Sequence, residues 1–333
     1  MDERHAGGLD PSLGLALVRV TESAALAAAR WIGRGQKAAG DGAAVDAMRR
    51  ALAHVAIDGV VVIGEGEKDE APMLFNGEIV GSGRGPAVDI AVDPIEGTSL
   101  LAQSRPDAIA VIAVAPRGTM WSPGPAFYMS KLVVGAEARE AIEPGSLTLP
   151  VAKTLAAIAE AKRTAVEALT VYVLDKPRHA ALITEILAAG ARVVSRTEGD
   201  VMGALLAATP RSGVDVLMGT GGTPEGVIAA TAVRALGGTM LVRLAPQKPG
   251  EREAVLASGV DLDRVLTERD LVRSADVLFA ATGVTDGVLM RGVRYTASGA
   301  ITDSILIRGT TGTRRRLEAE HRSEKLKRVT ETD

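Results

Sequence analysis

The sequence predicts an α/β protein in two halves, an N-terminal α+β half and a C-terminal half built on a parallel sheet. Three observations predict it. Between residues 170 and 244, short β-branched runs alternate with apolar segments of helical spacing, an order that winds a parallel sheet and covers it with helices. Upstream of residue 150, apolar runs dominate after an Ala-rich helical start. The length of 333 residues suits one large core or two of ordinary size.

Taken in order, residues 21–52 carry apolar positions at helical spacing, interrupted by Gly and charge at 33–42; two helices with a polar loop are expected. Residues 60–63 form a β-branched run stopped by Gly64, and 88–92 another stopped by Asp93-Pro94. Both read as buried strands feeding loops. Residues 108–115 and 131–134 add strands. A change of rhythm at 144–153 sets the expected boundary, with one domain over 10–150 and a second over 151–320. In the second, strands at 170–174, 192–195, 214–218 and 239–244 alternate with helices at 179–189, 200–208 and 225–236. Residues 300–308 and 313–318 read as a hairpin around 309–312. From Arg314 onward, dense charge of both signs reads as a solvated end, with 321–333 as a charged tail.

Composition narrows the function. Without cysteine there is no disulfide framework, thiolate zinc site or cysteine nucleophile, and a reducing compartment, the cytoplasm, is expected. Lys and Arg number 38 against 41 Asp and Glu, a formal charge of -3, and aromatic residues make up 2% of the chain. Phosphate-backbone binding and base stacking are both disfavoured by that balance, so nucleic acid is not an expected partner. No segment approaches the ~18 uncharged apolar residues of a membrane span, and the first residues lack the apolar run of a signal peptide. No membrane partner is expected.

In open α/β sheets, ligands lie outside the carboxyl ends of the strands, so the loops after each strand hold the candidates. After the first strand, GEGEKDEAPM crowds Glu65, Glu67, Asp69 and Glu70 together. Like charges this close are tolerated more readily with cations between them; a solvated acidic loop is the plain alternative. In DIAVDPIEGTS, Asp89 and Asp93 share a strand face by their even separation, Glu96 follows, and Gly97-Thr98-Ser99 opens a helix. Carboxylates at a strand end suit hard divalent cations, and N–H groups at a helix start suit a phosphate. The bland reading is an Asp-Pro turn with Thr98 as a cap. The second half offers DKPRH with Lys176 and Arg178, RTEGD with Glu198 and Asp200, and GTGGTPEG with Glu225, all at the ends of parallel strands. Each alone reads as turn chemistry; their convergence on one edge favours a site.

Other motifs are absent. There is no GxxxxGK[ST], no HExxH and no GxSxG, which removes a P-loop, a zincin helix and a serine nucleophile elbow. His5, His54, His179 and His321 are scattered, and His179 is expected to cap or pack.

With these blocks in view, the chain resembles the class II fructose-1,6-bisphosphatases of the GlpX type, including the bifunctional fructose/sedoheptulose enzymes. The likeness runs through RVTESAALAAARWIGRG, DGAAVDAMR, IDGVVVIGEGEKDEAPML, DIAVDPIEGTS, KPRH, GGTPEGVIAA and ATGVTDG, across roughly residues 17 to 320. DPIEGT also looks like the DPxDGT signature of the lithium-sensitive phosphomonoesterases. The resemblance implies the sugar-phosphatase fold, a layered helix/sheet sandwich. It puts metal ligation on Asp41, Glu65, Asp93, Glu96 and Glu225, with Mg²⁺ or Mn²⁺ as cofactor, and catalysis on Thr98, Asp93 and Glu65. Substrate contacts fall on Glu96, Gly97, Thr98, Tyr128, Lys176, Pro177, Arg178, Glu198, Gly199, Asp200 and Gly222. The implied substrate is fructose 1,6-bisphosphate, with sedoheptulose 1,7-bisphosphate or a non-catalytic sugar-phosphate sensor as alternatives, and the implied assembly is a homo-oligomer, dimer or tetramer. Two positions depart from the family pattern: Glu198 stands where Asp is usual, and Arg34-Gly35-Gln36-Lys37 where RGDK is common.

Overall fold

A computed structural model describes residues 8–64 and 74–322. The chain divides after Met120 and again after Arg273 into two compact units, each with its own sheet and core. The first unit opens with α1 (Leu13–Ala29), α2 (Lys37–Leu52), β1 (Asp58–Ile63), β2 (Ile79–Val80), β3 (Ala87–Glu96), α3 (Thr98–Ala102) and β4 (Ile109–Pro116). The second unit follows as β5 (Tyr128–Val134), α4 (Val151–Ala161), β6 (Thr170–Leu174), α5 (Ala180–Ala188), β7 (Arg192–Arg196), α6 (Asp200–Ala208) and β8 (Val216–Gly222). It continues with α7 (Thr223–Ala235), β9 (Thr239–Leu244), α8 (Pro249–Ala257), β10 (Leu266–Thr267) and α9 (Glu268–Leu271). The chain then returns to the first unit as β11 (Leu278–Gly283), β12 (Arg294–Thr296), β13 (Gly299–Arg308) and β14 (Thr313–Arg322).

The first sheet runs β12-β13-β11-β4-β3-β1-β2, with β14 on the other side of β13. β1 and β3 are parallel; every other neighbouring pair is antiparallel. Seven of the eight residues of β4, IAVIAVAP, are buried, which is what an uninterrupted apolar run does at the centre of a sheet covered on both faces. The Ala-rich sequence of α1 lets it lie close to that sheet and to α2: Leu17, Ala24 and Ala28 pack with Ile90, Ile112, Leu278 and Leu306. A fully buried Leu or Ile contributes about 1.5–3 kcal/mol by leaving water.

The expected boundary at residue 150 does not hold. β11 pairs with β4 from Leu278↔Val114 to Gly283↔Ile109, so late strands complete the early sheet. β5, assigned to the early half from sequence, instead lies between β8 and β9 in the second sheet. That sheet, β10-β9-β5-β8-β6-β7, keeps the α/β expectation: β6 is parallel to β7 and to β8, and β9 points the same way. The antiparallel β5 is wedged among them. The α4 spacing of Val151, Leu155 and Ile158 presents one apolar stripe to a core with Leu132, Val171, Val173, Ile186 and Leu241.

The solvated end expected from Arg314 is corrected as far as Arg322, and residues 323–333 of the expected tail lie outside the described residues. Residues 313–322 form β14, paired with β13 along ten positions from Gly299↔Arg322 to Arg308↔Thr313. Alternation places Leu317, Ala319 and His321 half-buried between exposed charges, a half-buried edge strand that a charge count alone mistakes for a tail.

Candidate active site

In the first unit the catalytic candidates gather where β3 ends. Asp93 lies opposite Val111 and Glu96 opposite Ile109, so three steps on β3 match two on β4. This bulge puts both carboxylates opposite same-face residues of β4, although a regular strand would set positions three apart on opposite faces. Pro94, which has no N–H for a ladder, is tolerated inside it. Oδ1 of Asp93 accepts from the Ile95 N–H at 3.0 Å, which steadies the turn. Gly97 then takes φ 95°, and a Cβ there would come within 2.9 Å of Leu100 Cδ1. Only glycine suits that turn, and Thr98 starts α3 directly after it.

Asp41 is brought to the same region by α2, which packs on α3. A Cβ on Gly40 would fall 2.5 Å from Leu101 Cδ2, so the missing side chain allows this close contact. The α1–α2 loop is fastened to the far end of α3, with Gly33 and Gly35 N–H donating to the carbonyls of Leu101 and Ala102 at 3.0 Å each. Asp89 plays a different part from the one its face suggested. It is buried, accepts from Thr119 and Met120 N–H at 2.8 and 3.0 Å, and holds the turn after β4.

Glu65 lies outside the described residues, as do Glu67, Asp69 and Glu70. Their strand is informative nonetheless. β1 and β3 are parallel with Ile63 opposite Ala91, so Gly64 leaves the sheet at the edge that carries Asp93. Gly64 N–H donates to Asn76 Oδ1 at 2.9 Å, while buried Glu78 binds Arg49 at 2.6 Å and accepts from the Leu74 N–H.

In the second unit, β6, β7 and β8 present their carboxyl ends to one edge, as the sequence required. Arg178 donates twice to the Thr220 carbonyl, at 3.0 and 2.8 Å, and its guanidinium stacks 5.3 Å from the centre of the Tyr128 ring. Lys176 is half-buried and makes no ion pair among the described residues. His179, expected to cap or pack, does so. Its Nε2 accepts from the Thr220 N–H at 2.8 Å, which leaves Nδ1 to carry the proton and donate to the Leu174 carbonyl at 2.7 Å. Burial, the largest influence, holds its pKa below the ordinary 6.5.

Two residues that sequence reasoning passed over organise this edge. Lys131 is 2% exposed, and its ammonium binds the carboxylate of Asp200 and donates to the Gly222 carbonyl at 2.6 Å. A single charge inside the apolar strand YMSKLVV was the available signal. Tyr172, also buried, donates its hydroxyl to the carbonyls of Gly199 at 2.9 Å and Glu198 at 3.3 Å, fixing the backbone between the two acids. An aromatic in a core strand gives no such hint. The glycines at the end of β8 serve close approach: a Cβ on Gly221 would lie 2.0 Å from Asp200 Oδ2, and one on Gly222 1.8 Å from Glu225 Oε2.

Among the described residues, no three Asp, Glu or His side chains gather closely enough to hold an ion. The fit to a cation rests on individual acceptors. Oε2 of Glu225 is buried with no hydrogen bond, an expensive state for a carboxylate unless a cation compensates it. Single oxygens, Oδ1 of Asp41 and Oε2 of Glu96, are also buried without a hydrogen bond, in side chains that interact elsewhere. All-oxygen donors of this kind suit hard divalent cations. The residues present therefore fit the metal.

Carboxylates suited to a cation occur in both units, and cations suited to an anion in the second; these are the groups of an enzyme that handles phosphate esters. Comparison with known proteins makes this particular. The sequence profile described as bacterial fructose-1,6-bisphosphatase, glpX-encoded, matches residues 11–321. Fructose-1,6-bisphosphatase 1 class 2 of Escherichia coli K12 is 47% identical over 322 residues, covering 93% of this chain and 95% of that protein. Fructose-1,6-bisphosphatase class 2 of Shigella flexneri matches at the same identity and coverage. The chain belongs to the glpX-encoded bacterial fructose-1,6-bisphosphatase family.

Proposed function

We propose that the protein hydrolyses the 1-phosphate ester of fructose 1,6-bisphosphate to fructose 6-phosphate and phosphate, a gluconeogenic step, with Mg²⁺ or Mn²⁺ as cofactor. The observation that carries the reading is the second unit's strand edge, where Lys131 binds Asp200 and Gly222, Glu225 lies beside Gly222, and Arg178 donates to Thr220. It supports recognition of a sugar bearing a phosphate, and membership of the family supports the particular ester.

Asp41, Glu65, Asp93, Glu96 and Glu225 would hold the cations. A divalent ion so held supplies acidification of a water and neutralisation of charge on the phosphoryl group. The chain's own groups do the rest. Thr98 Oγ1 orients the attacking water, and first-turn N–H groups of α3 donate to phosphate oxygens. Water oxygen bonds to phosphorus as the bond to the sugar oxygen breaks; the attacking water gives up a proton, and the leaving oxygen takes up one from solvent in its place. Arg178 grips the remaining phosphate through its planar fork and Lys176 as a point charge. Glu198 and Asp200 accept from sugar hydroxyls, and Tyr128, stacked under Arg178, limits where that guanidinium can turn.

A cytoplasmic homo-oligomer, dimer or tetramer, is part of the same proposal. Among the described residues no helix is long and apolar enough to cross a membrane. The test is phosphate release from fructose 1,6-bisphosphate during titration with Mg²⁺ or Mn²⁺, with sedoheptulose 1,7-bisphosphate in parallel at equal concentration. Turnover of the fructose ester is expected with either ion. Binding without release at every divalent ion would overturn catalysis in favour of a sensor, and faster release from the sedoheptulose ester would reassign the substrate.

A further inference from the structure

Of the sequence blocks through which the chain resembles its family, ATGVTDG, residues 281–287, supplies no group to the proposed site. The first sheet shows where it lies. Ile109 of β4 is opposite Glu96 of β3 on one side and Gly283 of β11 on the other, so the ends of β3 and β11 share one row. The turn after β11 therefore leaves the sheet at the edge that carries Asp93 and Glu96.

That turn holds the two residues before β4. Thr285 Oγ1 accepts from the Ala108 N–H at 2.9 Å, and the Val284 and Thr285 N–H groups donate to the Ala108 carbonyl at 2.9 and 3.2 Å. Asp107 donates its N–H to the Asp286 carbonyl at 3.0 Å, while its Oδ1 accepts from the Val288 N–H at 3.0 Å. A Cβ on Gly287 would fall 2.5 Å from that Oδ1, so bare backbone lets the carboxylate in. Asp107 is 2% exposed and sits at φ 77°, in the left-handed region that a side chain rarely adopts. Strain of this kind persists where the surroundings over-determine it, and it collects at functional sites. Ala108, in turn, backs the segment that presents the reacting groups. A Cβ at Gly97 would lie 3.6 Å from Ala108 Cα, and Gly97 joins Glu96 to Thr98.

Building on the roles of Glu96 and Thr98 in the hydrolysis proposed for this site, we infer that Thr285 and Asp107 are positioning residues for it: from the turn after β11 they fix Ala108, and through Ala108 the Glu96-Gly97-Thr98 segment. Thr285→Val keeps the side chain's shape but leaves the buried Ala108 N–H without its acceptor. A displacement of about 1 Å at the reacting groups can cost about 100-fold in rate.

The test uses the full chain as wild type, Thr285→Val, Thr285→Ser and Asp107→Gly. Glycine takes up a positive φ freely, so a loss in Asp107→Gly reports the missing carboxylate and not backbone strain. Phosphate release from fructose 1,6-bisphosphate is followed at saturating Mg²⁺ or Mn²⁺, well below each melting temperature. In Thr285→Val and Asp107→Gly, kcat is expected to fall at least about 10-fold with KM within about 2-fold of wild type. Thr285→Ser, which keeps the hydroxyl, is expected to recover most of the rate. Hydrogen exchange read by mass spectrometry on the metal-free chain gives a measurement independent of turnover. Peptides covering 95–103 are expected to exchange faster in Thr285→Val, with those of β6 and β8 unchanged. Faster exchange throughout both units, a rise in KM at unchanged kcat, or no recovery in Thr285→Ser overturns the proposal. A wild type without turnover overturns the catalytic reading and this proposal with it; an active wild type beside an equally active Thr285→Val overturns the proposal alone.

Discussion

Lys131 sits with its ammonium between the Asp200 carboxylate and the Gly222 carbonyl, and the Lys131 and Asp200 side chains are both buried. Removing one partner of a buried ion pair leaves the other charge uncompensated, at a cost of about 3–5 kcal/mol. Lys131→Met is therefore expected to lower the free energy of unfolding in urea by about that amount. Lys131→Met combined with Asp200→Asn should lose less, because the stranded charge is gone; a double loss equal to the sum of the two single losses would mean the pair is not coupled. At the proposed catalytic edge, Asp93→Asn keeps the size and the Ile95 turn but removes the carboxylate's negative charge. Phosphate release at saturating Mg²⁺ or Mn²⁺ is expected to fall at least about 100-fold, roughly 2.7 kcal/mol of barrier, with an unchanged melting temperature. Near-normal turnover in that variant would remove Asp93 from the metal set.

The strand-to-helix junctions that present the candidate residues are each held by something other than the groups they present. The β6–α5 junction is clamped by His179, which bridges Leu174 and Thr220 as a neutral imidazole. Protonation at Nε2 would cost the Thr220 bond. Because burial keeps the folded pKa below 6.5, the unfolded chain takes up a proton at higher pH than the folded one. Stability from the neutral ring is complete above about pH 6.5 and is lost as pH falls through the depressed folded value. The melting temperature should drop between pH 7 and pH 5, and His179→Gln should flatten that slope. The β8–α7 junction depends on bare backbone. Gly222→Ala would drive a methyl into Oε2 of Glu225, a proposed metal ligand, and misplacing a metal ligand or its support typically costs about 10–100-fold in affinity. A matching rise in half-saturating metal concentration, read by activity titration, is expected.

At the scale of the molecule, the two units differ in how the chain builds them. The second is one contiguous stretch, Trp121–Arg273, with its own sheet and core. The first needs segments from both ends, since β11 lies between β4 and β13. Residues 121–273 expressed alone should give a cooperative thermal transition by circular dichroism, and residues 1–120 alone should not. A cooperative transition in the latter would show that β1–β4 suffice for a core.

The sequence by itself determined most elements and named the candidates for the chemistry. Runs such as 170–174 and 239–244 became β6 and β9, because a short β-branched stretch bounded by turns has few other ways to bury itself. In the second unit, strand-end loops named Arg178, Asp200 and Glu225 as candidates because parallel strands deliver their carboxyl ends to one edge, and in the first the end of β3 named Asp93 and Glu96. Tertiary structure alone decided what depends on distant pairing. Local patterning is blind to a partner some 160 residues away, so it could not seat β11 against β4 or wedge β5 between β8 and β9. It could not place Lys131 beneath Asp200, because a lone lysine in a strand carries no label for its counter-charge. It could not foresee the bulge that turns Asp93 and Glu96 to one face, since an extra residue is defined only by the strand it is paired against.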